Sequence, residues 1–60
     1  MSERDTLTRV RTQLAACYRL VRRCLDDDKL QTAEVRMLAG AAAAVARMAA
    51  QDLSEIERGR

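Results

Sequence analysis

The chain contains no histidine, proline, tryptophan or phenylalanine, and Tyr18 is its only aromatic residue. Histidine is the commonest general acid and base, so its absence argues against most enzymatic chemistry. Without proline and with only two glycines, little in the sequence interrupts a helix, whereas alanine, leucine, arginine and glutamate all favour one. The sequence therefore predicts an all-helical protein that is not an enzyme and holds no cofactor.

Long apolar runs are also missing. No stretch reaches the roughly 18 apolar residues that span a bilayer, and the N-terminus lacks the apolar core and small-residue cleavage site of a secretion signal. We therefore expect a soluble, cytoplasmic protein without a membrane partner, in which thiols stay reduced.

Cysteine is scarce, with Cys17 and Cys24 seven residues apart on one predicted helix. That spacing puts their Cα atoms about 10 Å apart, beyond the ~7 Å that a disulfide permits, so they could pair only between chains. Two thiols without histidine do not make a zinc site. The aspartates at 26–28 lack the glycine and glutamate of a calcium loop. No metal is expected.

Sixty residues predict one small domain over 1–60. A chain of this length buries only about 60 % of the surface that its unfolded form exposes, so a lone core is marginal. Small domains gain extra stability from disulfides, a structural metal or self-association. With the first two excluded, self-association is the prediction that remains.

Two helices and a turn follow from the pattern of the chain. Ser2 is the predicted N-cap of a helix from about Glu3 to Leu25, the turn lies at about 26–31, and Thr32 caps a helix from about Ala33 to Glu57. A connection this short joins antiparallel neighbours. Spacings of three and four predict the seam of the first helix. Its predicted members are Leu7, Val10, Leu14, Cys17, Val21 and Cys24.

The stretch GAAAAVARMAA, residues 40–50, has little side-chain volume. Alanine and glycine allow helices to approach closely, although alanine also simply favours helix. The apolar residues of the second helix spread over about half its circumference, wider than one partner helix covers. We therefore expect the antiparallel hairpin to dimerise into a four-helix bundle. The candidate self-association residues are Leu14, Val21, Leu38, Gly40, Ala42, Val45, Met48, Ala49, Leu53 and Ile56.

Charge is segregated along the chain. Residues 1–25 hold six arginines against Glu3 and Asp5, a net charge of +4, and residues 26–60 carry −2. A basic helix face could follow the phosphates of RNA or DNA. The alternative is solvated surface, because no aromatic side chains accompany the arginines to stack on bases. The candidate nucleic-acid-binding residues are Arg11, Arg19, Arg22 and Arg23.

Two stretches carry resemblances to known proteins. In length, two-helix layout and the acidic turn LDDDKLQTAEV, the chain resembles the plasmid-encoded repressor-of-primer family, dimeric four-helix bundles that bind paired RNA loops with their first helices. The likeness covers most of the chain, but the phenylalanine that this family uses is absent and no RNA-contact motif matches.

The segment LVRRCLDDDKLQTAEVRMLAGAAAAVARM is similar to helical hairpins of bacteriophage and gene-transfer packaging modules, which implies an oligomerisation element. It covers about half the chain. Three functions follow as hypotheses: a homo-oligomeric assembly element, a nucleic-acid-binding accessory protein, and an adaptor that captures the helix of a partner protein.

Overall fold

The structure, a computed structural model, describes residues 2–59, which form two α-helices: α1 over Glu3–Asp26 and α2 over Thr32–Glu57. The helices pack side by side in opposite directions as a rod of 44 × 15 × 13 Å. The predicted all-α helical hairpin is thus confirmed. Neither helix of the described segment is long and apolar enough to cross a bilayer.

Local hydrogen bonds set where each helix begins. Ser2 is the N-cap of α1, since its Oγ accepts a bond from the backbone N–H of Asp5 at 3.2 Å. At α2 the N-cap is Gln31 rather than the predicted Thr32. The Glu34 carboxylate accepts a bond from the Gln31 backbone N–H at 3.4 Å. A glutamate three residues on completes this cap, so the helix starts one residue early.

Asp27 holds the turn between the helices. Its own N–H still donates to the Arg23 carbonyl at 3.2 Å, which places it at the end of α1. Its carboxylate then accepts a bond from the Lys29 N–H at 3.0 Å, and its carbonyl one from the Leu30 N–H at 3.3 Å. An aspartate that bonds the backbone two residues on reverses the chain direction. The turn is therefore a helix stop that brings α2 back along α1.

The seam between α1 and α2 is built from small side chains. Within residues 2–59 the buried apolar residues are Val10, Ala42 and Ala49, which are 4 %, 6 % and 1 % exposed. The Cys17 thiol lies against α2 and donates to the Ala42 carbonyl at 3.6 Å. Small residues let the two axes approach closely, so the core is thin. On α2 the seam positions are Val35, Leu38, Ala42, Val45, Ala49, Asp52 and Ile56.

The α1 side of the seam differs from the predicted one. Val10 and Cys17 lie in it as expected, but Leu7, Leu14 and Val21 are 49 %, 48 % and 47 % exposed. Spacings of three and four occur in two adjacent stripes of α1. The stripe with Leu7, Leu14 and Val21 has the bulkier side chains, so it is less suited to close approach to the alanines of α2. The predicted seam was therefore wrong at these three positions. Their places are taken by the preceding residues, Thr6, Gln13 and Leu20.

The alanine-rich stretch has two environments. Ala42 and Ala49 pack in the seam, where close approach was predicted. Gly40 lies on the outer surface, where an added Cβ would meet nothing within 4 Å. Contacts within the described hairpin therefore do not require glycine there. Most other alanines of the stretch are exposed, where their effect is helix propensity.

Candidate docking surface

The two sides of the seam differ in chemistry. Arg9 of α1 and Asp52 of α2 form an ion pair, with Nε and Oδ2 3.1 Å apart, so both lie on the same side. Successive helical residues are rotated by about 100°. That rotation places Leu7 on α1 and Leu53 on α2 on the other side, away from the ion pair.

The contacts between Arg9 and Asp52 and between Cys17 and Ala42 also fix the register of the two helices. Residues of α1 and α2 that lie at the same height along the rod are called level. The apolar side then consists of level pairs that repeat every seven residues, about 10.5 Å along the rod. We call this side the leucine flank. It is made of Leu7 with Leu53, Leu14 with Ala46, and Val21 with Ala39.

The hairpin leaves the leucine flank uncovered. Leu53 is 41 % exposed, similar to its counterparts on α1. Tyr18 and Leu25 extend the same side outward along α1 and are 62 % and 76 % exposed. Six of the eight exposed bulky apolar residues of the described chain thus share one side. Most of them belong to α1, whereas the sequence placed the excess apolar surface on α2.

The opposite flank is mixed in character. Met37 and Met48 of α2 are exposed there, on the same side as the Arg9–Asp52 ion pair. Helical rotation also brings Arg19 and Arg23 of α1 toward this side. It therefore offers two flexible apolar side chains among charges rather than a continuous apolar strip.

The structure divides the predicted self-association residues among four places. Those in the intrachain seam are Leu38, Ala42, Val45, Ala49 and Ile56. Those on the leucine flank are Leu14, Val21 and Leu53. Met48 lies on the opposite flank and Gly40 on the outer surface. Association between copies stays a prediction, and within the hairpin only the leucine-flank members form one uncovered strip.

Sequence reasoning included Leu53 but missed the other two α2 residues of this strip. Ala39 and Ala46 belong to it because they are level with bulky residues of α1, and alanine alone gives no signal for such a role. The matching seven-residue spacings of 7, 14, 21 and 39, 46, 53 could have revealed it, once an antiparallel pairing of the helices was assumed.

Arginines border the leucine flank along both outer edges. Arg4 and Arg11 line one shallow depression with Leu7 between them. Carboxylates are few along these edges. Asp26 forms an exposed ion pair with Arg22, with Nε and Oδ2 3.1 Å apart. Helical rotation puts Glu3 and Glu57 on the flank only at its open end, the end away from the turn. The border on α1 is Arg4, Arg11 and Arg22, and the border on α2 is Arg36 and Arg47.

The predicted nucleic-acid-binding arginines do not form one compact cluster. Arg11 and Arg22 belong to the α1 border, and Arg22 is paired with Asp26. Arg19 and Arg23 lie toward the opposite flank, are exposed, and form no ion pair within residues 2–59. The four side chains spread over about a third of the circumference of α1. Whether they bind RNA or DNA stays a prediction.

Other polar groups of the described chain are isolated. Cys17 and Cys24 are free, partly buried thiols in the seam. The Oε1 atom of Gln13 is buried there without a hydrogen-bond partner. Across residues 2–59 no histidine, cysteine, aspartate or glutamate side chains group to hold a metal ion.

The leucine flank thus brings together six of the eight exposed bulky apolar side chains of residues 2–59. Comparison of this chain with protein-family models, with curated proteins and with solved structures found no match.

Proposed function

We propose that the chain is a non-enzymatic interaction protein whose leucine flank docks a further α-helix, so that the hairpin acts as an assembly element. The observation that carries this proposal is the half-exposed row of Leu7, Leu14 and Val21. Apolar surface left in water costs about 25 cal/mol per Å². A helix lying between α1 and α2 on this side would remove much of that cost.

The thin core supports the same conclusion. Val10, Ala42 and Ala49 are the buried apolar residues of the described chain, and none of them is large. A domain of this size with so little buried volume is marginal alone. A docked helix would turn the leucine flank into core, and binding to the folded state would stabilise it by mass action. Docking and folding are thus coupled in this proposal.

Either a second copy of the hairpin or a helix of another protein can supply the docked helix, because heptad spacing suits both. A role in a phage-like assembly and a cytoplasmic location are expectations that accompany the proposal. The proposal specifies the surface at which docking occurs, which is the leucine flank rather than the methionines of the opposite flank.

Methyl NMR spectra test the proposal at the residues concerned. The protein is titrated against itself and against designed heptad helices with acidic, uncharged or basic flanks. Docking should shift the methyl signals of Leu7, Leu14 and Val21 and spare those of Met37 and Met48. If neither rising protein concentration nor any of the helices shifts the leucine-flank signals, the proposal is wrong.

A matched pair of variants completes the test. Leu7→Gln/Leu14→Gln should abolish the shifts, whereas Met37→Gln/Met48→Gln removes an even larger exposed apolar area from the opposite flank and should leave them intact. Circular dichroism checks that both variants remain helical. Equal loss of docking in the two variants would argue for non-specific hydrophobic association.

Nucleic-acid binding is a second candidate function. Arg19 and Arg23 support it, because they are exposed and form no ion pair with any part of residues 2–59. Affinity for duplex DNA should fall steeply with salt, by a slope of about 0.9 per phosphate contact. Arg19→Gln/Arg23→Gln should flatten that slope. A slope unchanged by the double substitution would remove these arginines from consideration.

A further inference from the structure

We infer that the leucine flank accepts an acidic amphipathic helix of another protein in preference to a second copy of this chain. The inference rests on the proposed function of the flank as a docking surface, and it identifies the occupant from shape and charge.

The shape of the flank comes from its level pairs. At the open end Leu7 and Leu53 stand side by side, and toward the turn Val21 is level with Ala39. The strip is therefore raised at one end and recessed at the other. A complementary helix carries apolar residues at seven-residue spacing, with a small one beside the two leucines and a large one over Ala39.

The charge of the flank comes from its borders. Arg11 is level with Arg47, and Arg22 is level with Arg36. A helix that lies between α1 and α2 passes between two rows of guanidinium groups. Carboxylates on both sides of its apolar stripe would pair with them, because guanidinium and carboxylate match in charge and in hydrogen-bonding geometry.

A second copy offers little of this complementarity, because its own flank carries carboxylates only at one end, from Glu3 and Glu57. Both borders of the leucine flank carry arginine, so stacking one flank on another sets an arginine border against an arginine border whichever way the second copy runs. Juxtaposed like charges disfavour a partner. Among the border arginines of the described chain, the ion pairs give a carboxylate only to Arg22, which contacts Asp26. The apolar strip is stabilised by a docked helix, and its arginine borders disfavour a second copy of this chain.

A helix fits this surface better than an anionic lipid surface does. The bulky side chains at the centre of the flank are only about half exposed and lie beside alanines in the groove between two helices. Aromatic side chains anchor proteins at lipid headgroups, and the chain has one, Tyr18, with no tryptophan or phenylalanine. The surface therefore has a strip that another helix can fill, with Tyr18 as the single aromatic side chain beside it.

The inference is tested with three designed helices that share one apolar heptad stripe and carry glutamate, glutamine or lysine at the flanking positions. Fluorescence anisotropy measures their binding to the full chain. The glutamate helix should bind about tenfold more tightly than the glutamine helix, as expected for a few exposed ion pairs. The lysine helix should bind more weakly than both, and the preference should shrink as salt is added.

Substitutions assign the preference to the borders. Arg11→Gln/Arg36→Gln/Arg47→Gln should remove most of the preference for the glutamate helix over the glutamine helix. Arg19→Gln/Arg23→Gln removes charge outside the borders and should leave most of the preference in place. Glutamine keeps these exposed positions helical, which circular dichroism verifies.

Each alternative outcome has a defined meaning. Equal binding of the three helices, or a preference that survives the triple substitution, overturns the inference but leaves docking intact. Self-association through Leu7 and Leu14 that excludes the glutamate helix overturns it in favour of a second copy. Tighter binding to phosphatidylglycerol vesicles than to the glutamate helix overturns it in favour of lipid. Absence of any docking overturns the proposed function as well.

Discussion

Arg9 and Asp52 face each other across the seam, with Nε and Oδ2 3.1 Å apart, although 43 residues separate them in the chain. Their side chains are 42 % and 19 % exposed, so the pair lies at the edge of the contact rather than in open solvent. The ion pair fixes the register of α1 against α2 on one side of the seam. The leucine flank lies on the other side.

We expect Asp52→Asn to lower the free energy of unfolding by about 0.5–1 kcal/mol, since a partly exposed ion pair contributes little more than that. Asp26→Asn is the matched control, because its pair with Arg22 has side chains that are 62 % and 64 % exposed. Urea unfolding at low salt measures both. A larger loss for Asp26→Asn than for Asp52→Asn would contradict the role given to the pair across the seam.

Gln13 offers a stabilising substitution. Its Oε1 is buried in the seam without a hydrogen-bond partner, and an unmade bond of this kind costs about 1–3 kcal/mol. Gln13→Met keeps the length of the side chain and removes the unpaired oxygen, so we expect a higher melting temperature. Gln51→Met at an exposed position should change it little. A lower melting temperature for Gln13→Met would show that the amide has a favourable partner in solution.

Gly40→Ala should stabilise the isolated hairpin by about 0.8–1 kcal/mol, the difference in helix propensity between the two residues. An added Cβ meets nothing within 4 Å, so no clash offsets the gain. Ala44→Gly, at an exposed position of the same helix, should lose a similar amount. Thermal unfolding measured at several protein concentrations checks this. Destabilisation by Gly40→Ala that grows with concentration would indicate that another chain packs closely there.

The seam should not tolerate larger residues. Ala49 is 1 % exposed, and overpacking of this kind typically costs about 1–3 kcal/mol. Ala49→Leu should therefore lower the free energy of unfolding, whereas Ala50→Leu adds the same volume at an exposed neighbour and should change it little. Equal effects of the two substitutions in urea titrations would contradict the close approach of α1 and α2.

The parts of the fold that depend on local chemistry could be predicted from the sequence. Ser2 as an N-cap and the aspartates at 26–28 as a stop act within a few residues, so their effects are readable along the chain. The sequence predicts Thr32 as the cap because threonine is a commoner cap than glutamine, and this prediction is wrong. Its neighbour Gln31 takes that role through Glu34.

The candidate site depended on information that the sequence holds only indirectly. The spacing predicts Leu7 and Leu14 in the seam, but two stripes with the same spacing overlap on α1, and the choice between them depends on how closely α2 approaches. Ala46 joins the leucine flank only once the levels of the two helices are known. Tertiary contacts therefore supply the register that spacing alone does not determine.

The narrowing of the leucine flank from Leu7 and Leu53 to Val21 and Ala39 also gives the surface an orientation. A docked helix with side chains of uniform size could bind in either direction. A helix whose apolar side chains become larger toward one end could bind in only one direction. The six side chains of the leucine flank would then set the direction of every helix docked on this hairpin, and so the polarity of any larger assembly.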